Sequence, residues 1–124
     1  MPGVARLEDS STSHGCYPGR KNCGASTDVF VNGRGVHRKD DPWLPHTWTR
    51  KPHDTHSGAL KEGSSTVFVN GKPMGYLGAA ITCGGEVSTA SENVFVGKWG
   101  YRVWHYLDVY LRKVIMGILS NMRV

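Results

Sequence analysis

Apolar and polar residues alternate in three short runs that share the triplet Val-Phe-Val. The runs occupy residues 24–33, 63–71 and 90–97, and a polar, Ser-containing stretch precedes each triplet. The first two runs end in Asn-Gly, which is a strong hairpin signal after a β-branched and aromatic strand, because both central residues of a type I′ turn need positive φ. The pattern therefore predicts strand-turn-strand units.

A returning strand is predicted after each of the first two turns, over residues 35–41 and 73–79. The third run stops at Gly97 without one, whereas residues 3–9 show the same pattern with no strand before them. We therefore expect the N-terminal segment to complete the third unit. Since single repeats of this size cannot bury their own apolar faces, the expected fold is a mainly β, closed, pseudo-threefold body of three β-hairpin repeats. The Trp-, His- and Pro-rich loop over 41–58 lengthens the interval between the first and second Val-Phe-Val runs. We expect this loop to differ in structure from the other connections.

Another pattern begins after the third run. Asp, Arg, Lys and His occur within this stretch, so a membrane span is not expected. Apolar residues recur there at spacings of three and four, as on one face of an amphipathic helix. They are Trp104, Leu107, Leu111, Ile115, Ile118 and Met122. The chain is thus divided into a β domain over residues 1–97 and a C-terminal amphipathic helix over residues 98–124, expected to pack on its own domain, with a partner or a membrane as alternatives.

The β domain has few large core-forming side chains. Leu, Ile, Val and Phe together number 26, and nine of them follow residue 100. The 17 that remain in the first 100 residues fall below the roughly 20% at which burial alone becomes insufficient for folding. A metal or a partner surface is therefore expected to supplement the core, and residues 1–97 are expected to be stable only when metal-loaded.

Charge and cysteine content narrow the function classes. The net charge is +5 and the pI is about 9.3, but the basic residues are scattered and do not alternate with aromatic ones, so no nucleic-acid partner is expected. Charged residues lie at Arg6, Glu8 and Asp9, where a secretion signal would be apolar, so we expect synthesis in the cytoplasm. Three cysteines in such a protein favour a metal site over disulfides.

Candidate metal ligands occur at equivalent positions of the repeats. His14, His46 and Cys83 follow the ends of the returning strands by five, five and four residues. A threefold arrangement would bring these side chains together on its axis as three of the four ligands of a structural zinc ion. The fourth ligand is expected to be His56, with His53 as the alternative.

His37, Cys16 and Cys23 are not expected to be ligands of this ion. His37 lies on a returning strand and is interpreted as a surface or packing residue, although it also remains a candidate ligand. Cys16 and Cys23 flank a Pro-Gly-Arg-Lys loop and are expected to be free thiols, with a local disulfide or a second metal site as alternatives. Four protein ligands leave no open metal position, and no catalytic motif is found, so no enzyme is expected.

Over residues 1–97 the sequence resembles the PAAR-repeat family, whose members form the tip of the central spike in contractile phage tails and type VI secretion systems. Arg6 and Arg38 match the family's arginine, and Tyr76 does not. The segments at the family's Pro-Ala-Ala-Arg position read Gly-Val-Ala-Arg at 3–6, Gly-Val-His-Arg at 35–38 and Pro-Met-Gly-Tyr at 73–76.

The resemblance implies a small cone with a zinc ion near its apex and a flat base on a trimeric β-helical spike. On the matching positions the ligands would be His14, His46, His56 and Cys83, with iron as the less favoured metal. One copy would cap one spike trimer, because pseudo-threefold symmetry matches a trimer. The tip would touch a bacterial outer membrane transiently, and no small-molecule substrate is implied.

Two settings fit such a protein. A C-terminal part too short for a toxin domain favours the virion tail tip of a phage, made in the host cytoplasm, over a cytoplasmic protein secreted by a type VI apparatus. The alternative function is a small metal-dependent enzyme or toxin delivered by such a machine. That alternative requires an open coordination position and a substrate pocket.

Overall fold

The computed structural model describes residues 1–97, which form a mainly β structure of small two-stranded sheets without a helix. The helix predicted for residues 98–124 lies outside the described residues. In the described part no helix could cross a membrane. The six strands pair as three antiparallel hairpins. They are β1 (Phe30–Val31) with β2 (Arg34–Gly35), β3 (Pro42–Thr47) with β4 (Thr55–Ala59), and β5 (Phe68–Val69) with β6 (Lys72–Pro73).

The hairpins β1–β2 and β5–β6 are the two that the Asn-Gly signals predict. Asn32 and Asn70 at their turns both have φ of 54°, and the glycines that follow have φ of 74° and 79°. These are the left-handed values that a type I′ turn requires. Along the strands Val31 and Val69 are buried while Phe68 is exposed, as expected for alternating faces of a strand.

The N-terminus completes the third unit, as predicted. Gly3 forms an antiparallel bridge with Phe95, and the Val96 N–H donates to the Pro2 carbonyl at 3.0 Å. The third Val-Phe-Val run therefore has its partner strand at the opposite end of the described chain, and this pairing joins the two ends of residues 1–97.

The three returning segments pair with one another in a closed ring. The Ala5 N–H donates to the Gly75 carbonyl at 3.0 Å, the His37 N–H to Ala5 at 3.0 Å, and the Gly75 N–H to His37 at 2.8 Å. A Cβ on Gly75 would lie 2.6 Å from the His37 carbonyl oxygen, so this close approach requires glycine. A second set of three bonds joins the same segments nearby. It runs from Leu7 N–H to Gly35, from Lys39 N–H to Pro73 and from Leu77 N–H to Gly3.

The apolar core is small, and buried ion pairs accompany it. Asp9 is paired with Arg6 at 3.0 Å and Asp41 with Arg38 at 2.9 Å, and both carboxylates are buried. Charge-assisted bonds of this kind satisfy buried carboxylates. The largest fully buried apolar side chains come from several segments. They are Trp43, Leu60, Met74, Val4, Val31, Val36, Val87 and Val96.

The longest hairpin lies where a special loop was expected. β3 and β4 pair within residues 41–58 and their neighbours, with His46 opposite His56 and a register shift between Trp43 and His46. Two prolines in β3 lack a backbone donor, and the shift interrupts the alternation of faces, so the usual strand signals are weak here.

His37 is fully buried in the core. Its Nδ1 atom donates to the Gly24 carbonyl at 2.6 Å, and its ring meets Trp43 edge-on. Burial lowers the pKa of His37, because the charged imidazole would lose its hydration there. The structure thus places His37 as a packing residue.

The burial of His37 predicts that folding stability falls as the pH drops below about 6.5. The unfolded chain takes up a proton at His37 in this range and the folded chain does not, which costs up to about 1.4 kcal/mol per pH unit. In urea unfolding, His37→Gln should therefore show a shallower loss of stability on acidification than the unaltered chain. Because both chains share the other histidines, equal losses would contradict the interpretation.

Candidate metal centre

His14 lies in a tight turn of the N-terminal segment. Its N–H donates to the Tyr17 carbonyl at 3.0 Å, and the Tyr17 N–H donates back to His14 at 2.9 Å. Gly15 between them has φ of 55°, which glycine adopts without strain. The turn brings the Nε2 atom of His14 within 3.1 Å of Nε2 of His46.

His46 and His56 face each other across the β3–β4 hairpin. They are register partners, and their Nε2 atoms are 2.5 Å apart. Side chains of opposite residues lie on the same face of an antiparallel pair. The strand register therefore selects His56, and not its neighbour three residues earlier, as the partner of His46.

Cys83 lies in a loop that is tied to β4. The Thr82 N–H donates to the Ala59 carbonyl at 2.9 Å, and the Ala59 N–H donates to Oγ1 of Thr82 at 3.1 Å. A Cβ on Gly58 would lie only 2.9 Å from Sγ of Cys83. The absence of a side chain at Gly58 thus leaves the space that the thiol occupies.

These four side chains form a group that could hold a metal ion. The donor atoms of His14, His46, His56 and Cys83 all lie within 4.8 Å of one another, and Sγ of Cys83 is 3.9 Å from Nε2 of His46. In a tetrahedral zinc site with bonds of 2.0–2.1 Å, two nitrogen ligands lie about 3.3 Å apart. The His14–His46 separation of 3.1 Å is close to this value, and the His46–His56 separation of 2.5 Å lies well below it. Three imidazoles and one thiol are a donor set that zinc accepts.

The tautomer of His46 and the charge state of His14 and His46 suit metal binding. Nδ1 of His46 donates to the Pro18 carbonyl at 2.7 Å; since a carbonyl only accepts, Nε2 of the neutral ring carries the free lone pair. Burial lowers the pKa of both His14 and His46, and the positive charge of Arg20 acts in the same direction. Both rings are therefore neutral at neutral pH, which is the form that binds metals.

The alternative candidates lie outside this group. His53 is exposed, and its Nδ1 atom lies 3.1 Å from the Trp48 carbonyl oxygen. His37 is bonded to a backbone carbonyl in the core. Cys16 and Cys23 are free thiols, so the alternative of a local disulfide is not realised. The structure thus brings together the four expected residues without His53 or His37.

Two side chains that contact the group were not predicted from the sequence. The Tyr17 ring stacks on His56 with 3.8 Å between ring centroids and 13° between planes. Arg20 donates from Nη2 to Sγ of Cys83 at 2.7 Å. Repeat spacing identifies ligands that share a position in each unit, but it carries no signal for residues that occur in one unit alone.

The fold and this group define a small, mainly β protein with a potential metal centre of three histidines and one cysteine. The model of the PAAR motif family matches residues 9–89, more than half of the chain and a span that includes all four residues of the group. The chain therefore belongs to the PAAR motif family. Membership of this family points to the tip of the spike in contractile injection machines, type VI secretion systems included.

Two curated relatives come from Pseudomonas aeruginosa. The chain is 34% identical over 90 residues to the NAD(P)(+) glycohydrolase toxin Tse6 of strain PAO1 and to the (p)ppApp synthetase toxin Tas1 of strain UCBPP-PA14. The alignments cover 68% of this chain and 20% of each relative. The chain thus spans about a fifth of the length of these relatives.

The donor set predicts that the purified chain carries about one zinc ion. Cys83→Ser replaces a strong thiolate ligand by a hydroxyl and should lower both the metal content and Tm, because metal-binding energy is folding energy in closed sites. Elemental analysis and thermal unfolding measure the two quantities. Cys23→Ser, which alters an exposed thiol outside the group, is the control; a Cys83→Ser chain that keeps the metal content and Tm of this control would contradict the site.

Proposed function

We propose that this protein is the structural tip of the membrane-piercing spike of a contractile injection machine. In this role it acts without catalysis, and a structural zinc ion bound by His14, His46, His56 and Cys83 holds its segments together. Residues 1–97 act as the tip domain, and one copy caps one trimeric spike. Family membership supports the general role, and the arguments for the finer points follow.

The observation that carries the proposal is the closed ring of backbone bonds among Ala5, His37 and Gly75. Each segment donates to one neighbour and accepts from the other, which is the pairing that a pseudo-threefold body needs. A single chain with this symmetry can lie on the end of a trimer without mismatch. The pseudo-threefold arrangement is thus proposed from the pairing, and the conical shape from the resemblance to the family.

The proposed base is the surface of the Val-Phe-Val strands and their turns. Phe68 in β5 is 56% exposed and offers apolar surface that a partner would remove from water. We propose that these strands extend the β-structure of the spike by edge pairing. Polar bonds join the turns at this surface, among them Nδ2 of Asn32 to Oδ1 of Asn93 at 2.9 Å.

The relatives support the type VI setting over the phage tail. Both are named as toxins of a bacterium, and neither is named as a phage protein. We therefore place it in a cytoplasmic pool that a type VI apparatus secretes, with transient outer-membrane contact. The virion tail tip remains a prediction from the sequence.

A second candidate function follows from the coverage of the relatives. The region shared with this chain makes up 20% of each toxin, so the same domain also occurs as one part of larger proteins. The chain could thus serve as the delivery module of a toxin. The named toxin activities belong to the whole relatives, and the four-ligand group has the composition of a structural rather than a catalytic zinc site.

Mixing the chain with its cognate spike tests the central point. Pseudo-threefold symmetry predicts one copy per three spike chains, measured by native mass spectrometry or light scattering. A complex with three copies per spike trimer would contradict the symmetry argument.

Substitution of exposed apolar residues tests the proposed base. Phe68→Asp places a charge in the proposed interface and should weaken spike binding by about tenfold or more, since burying an unpaired charge costs several kcal/mol. Leu44→Asp on β3 is the matched control, because Leu44 is 45% exposed but lies outside the Val-Phe-Val surface. Equal spike affinities of the two variants would contradict the proposal that the spike binds the Val-Phe-Val surface.

A further inference from the structure

Arg20 is a buried cation beside the candidate metal centre. It is 8% exposed and donates from Nη2 to Sγ of Cys83 at 2.7 Å and from Nη1 to Oγ of Ser11 at 2.8 Å. A buried charge is costly without an opposite charge nearby. Within residues 1–97 no carboxylate forms an ion pair with Arg20. The sulfur of Cys83, a thiolate when it binds a metal, is thus the anionic partner that the guanidinium reaches there.

Contacts with two further side chains hold the guanidinium in place. Its central carbon lies 5.2 Å from the centroid of the Trp43 ring, within the range of a cation–π contact. Oγ of Ser11 also accepts the backbone N–H of Arg20 at 3.2 Å, so one hydroxyl orients both the backbone and the side chain. Ser11 and Trp43 are themselves buried, which limits the freedom of all three side chains.

Arg20 ends a short segment, residues 14–20, that contacts every member of the group. The segment supplies one member itself and orients the other two imidazoles through an aromatic ring and a carbonyl. Its contacts are Tyr17 to His56, the Pro18 carbonyl to His46 and Arg20 to Cys83. The contact of Arg20 differs from the others because it brings a full charge to the sulfur.

We propose that Arg20 is a positioning residue for the cysteine ligand. Its guanidinium holds the Cys83 sulfur beside the three imidazoles and protects the metal-loaded centre from oxidation. The proposal rests on the structural metal proposed above. Contacts to the outer side of metal ligands fix the ligand orientation, and charge-assisted bonds are the strong ones. Since zinc itself has no redox chemistry, the thiolate is the oxidisable ligand of such a centre.

The reaction that Arg20 would slow is the attack of the sulfur on a peroxide. The sulfur donates an electron pair to one peroxide oxygen, an S–O bond forms and the O–O bond breaks. The sulfur is thereby oxidised by two electrons to a sulfenic acid, and the second oxygen leaves as hydroxide. A donor that withdraws electron density from the sulfur slows this attack, and the loss of the thiolate releases the metal.

Zinc release driven by hydrogen peroxide tests the proposal in the full chain with Cys16→Ser and Cys23→Ser, so that Cys83 is the remaining thiol. Arg20→Met removes the charge and the donors but keeps an apolar stem. It should release zinc to a chromogenic indicator on the order of three to ten times faster than the parent. Arg20→Lys should restore part of the protection. Lys21→Met removes an exposed neighbouring charge and should match the parent.

Cobalt substitution adds a measurement that a packing role would not change. The sulfur-to-cobalt charge-transfer band should move to lower energy in Arg20→Met, because the sulfur electrons lose a stabilising donor. Equal release rates and equal bands in Arg20→Met and Lys21→Met would overturn the proposal.

A substitution at Ser11 decides the question if Arg20→Met does not fold. Ser11→Ala removes the acceptor of Nη1 but keeps the guanidinium, and faster release than in Lys21→Met supports the proposal, whereas equal release overturns it. Failure of the parent itself to bind zinc or cobalt would overturn the metal centre, and with it the role of Arg20. The parent's metal content thus distinguishes a failure of the proposed metal centre from a failure of the role proposed for Arg20 alone.

Discussion

The short supply of large apolar side chains is the constraint on which this structure depends. Three repeats with pairings as short as two residues or a single bridge cannot bury enough surface individually to offset the entropy of ordering the chain. They are joined instead by backbone hydrogen bonds that close on themselves, with Ala5, His37 and Gly75 each donating to the next segment. A closed ring leaves none of its three segments as a free end, so each repeat depends on the other two.

The candidate metal centre is a second means of stabilising a domain with few large apolar side chains. Its members come from the N-terminal turn, the β3–β4 hairpin and the loop that holds Cys83, which are distant in sequence. A metal bound by all of them would restrict the unfolded chain and add binding energy to folding. We thus propose that backbone hydrogen bonds and metal–ligand bonds, which are strongly directional, give the spike tip its rigidity. This rigidity does not require a large apolar core.

The sequence predicted the features that depend on local chemistry or on repetition. The turns at Asn32 and Asn70 follow from the residues that tolerate positive φ, and closure by the N-terminus follows from the unpaired third run. His14, His46 and Cys83 were predicted as candidate ligands because the repeats place them alike. The choice of His56 depends on the register of the β3–β4 hairpin, whose prolines hide the strand pattern. Contacts such as that of Arg20 arise only in the folded chain and had no sequence signal.

Hydrogen exchange of the ring amides tests most directly whether the metal and the ring stabilise each other. The N–H groups of Ala5, His37 and Gly75 should be strongly protected in the metal-loaded chain, and chelation should lower their protection by about a hundredfold or more, since the loss of a closed zinc site removes several kcal/mol of folding energy. Unchanged protection of these amides after complete removal of the metal would contradict the account.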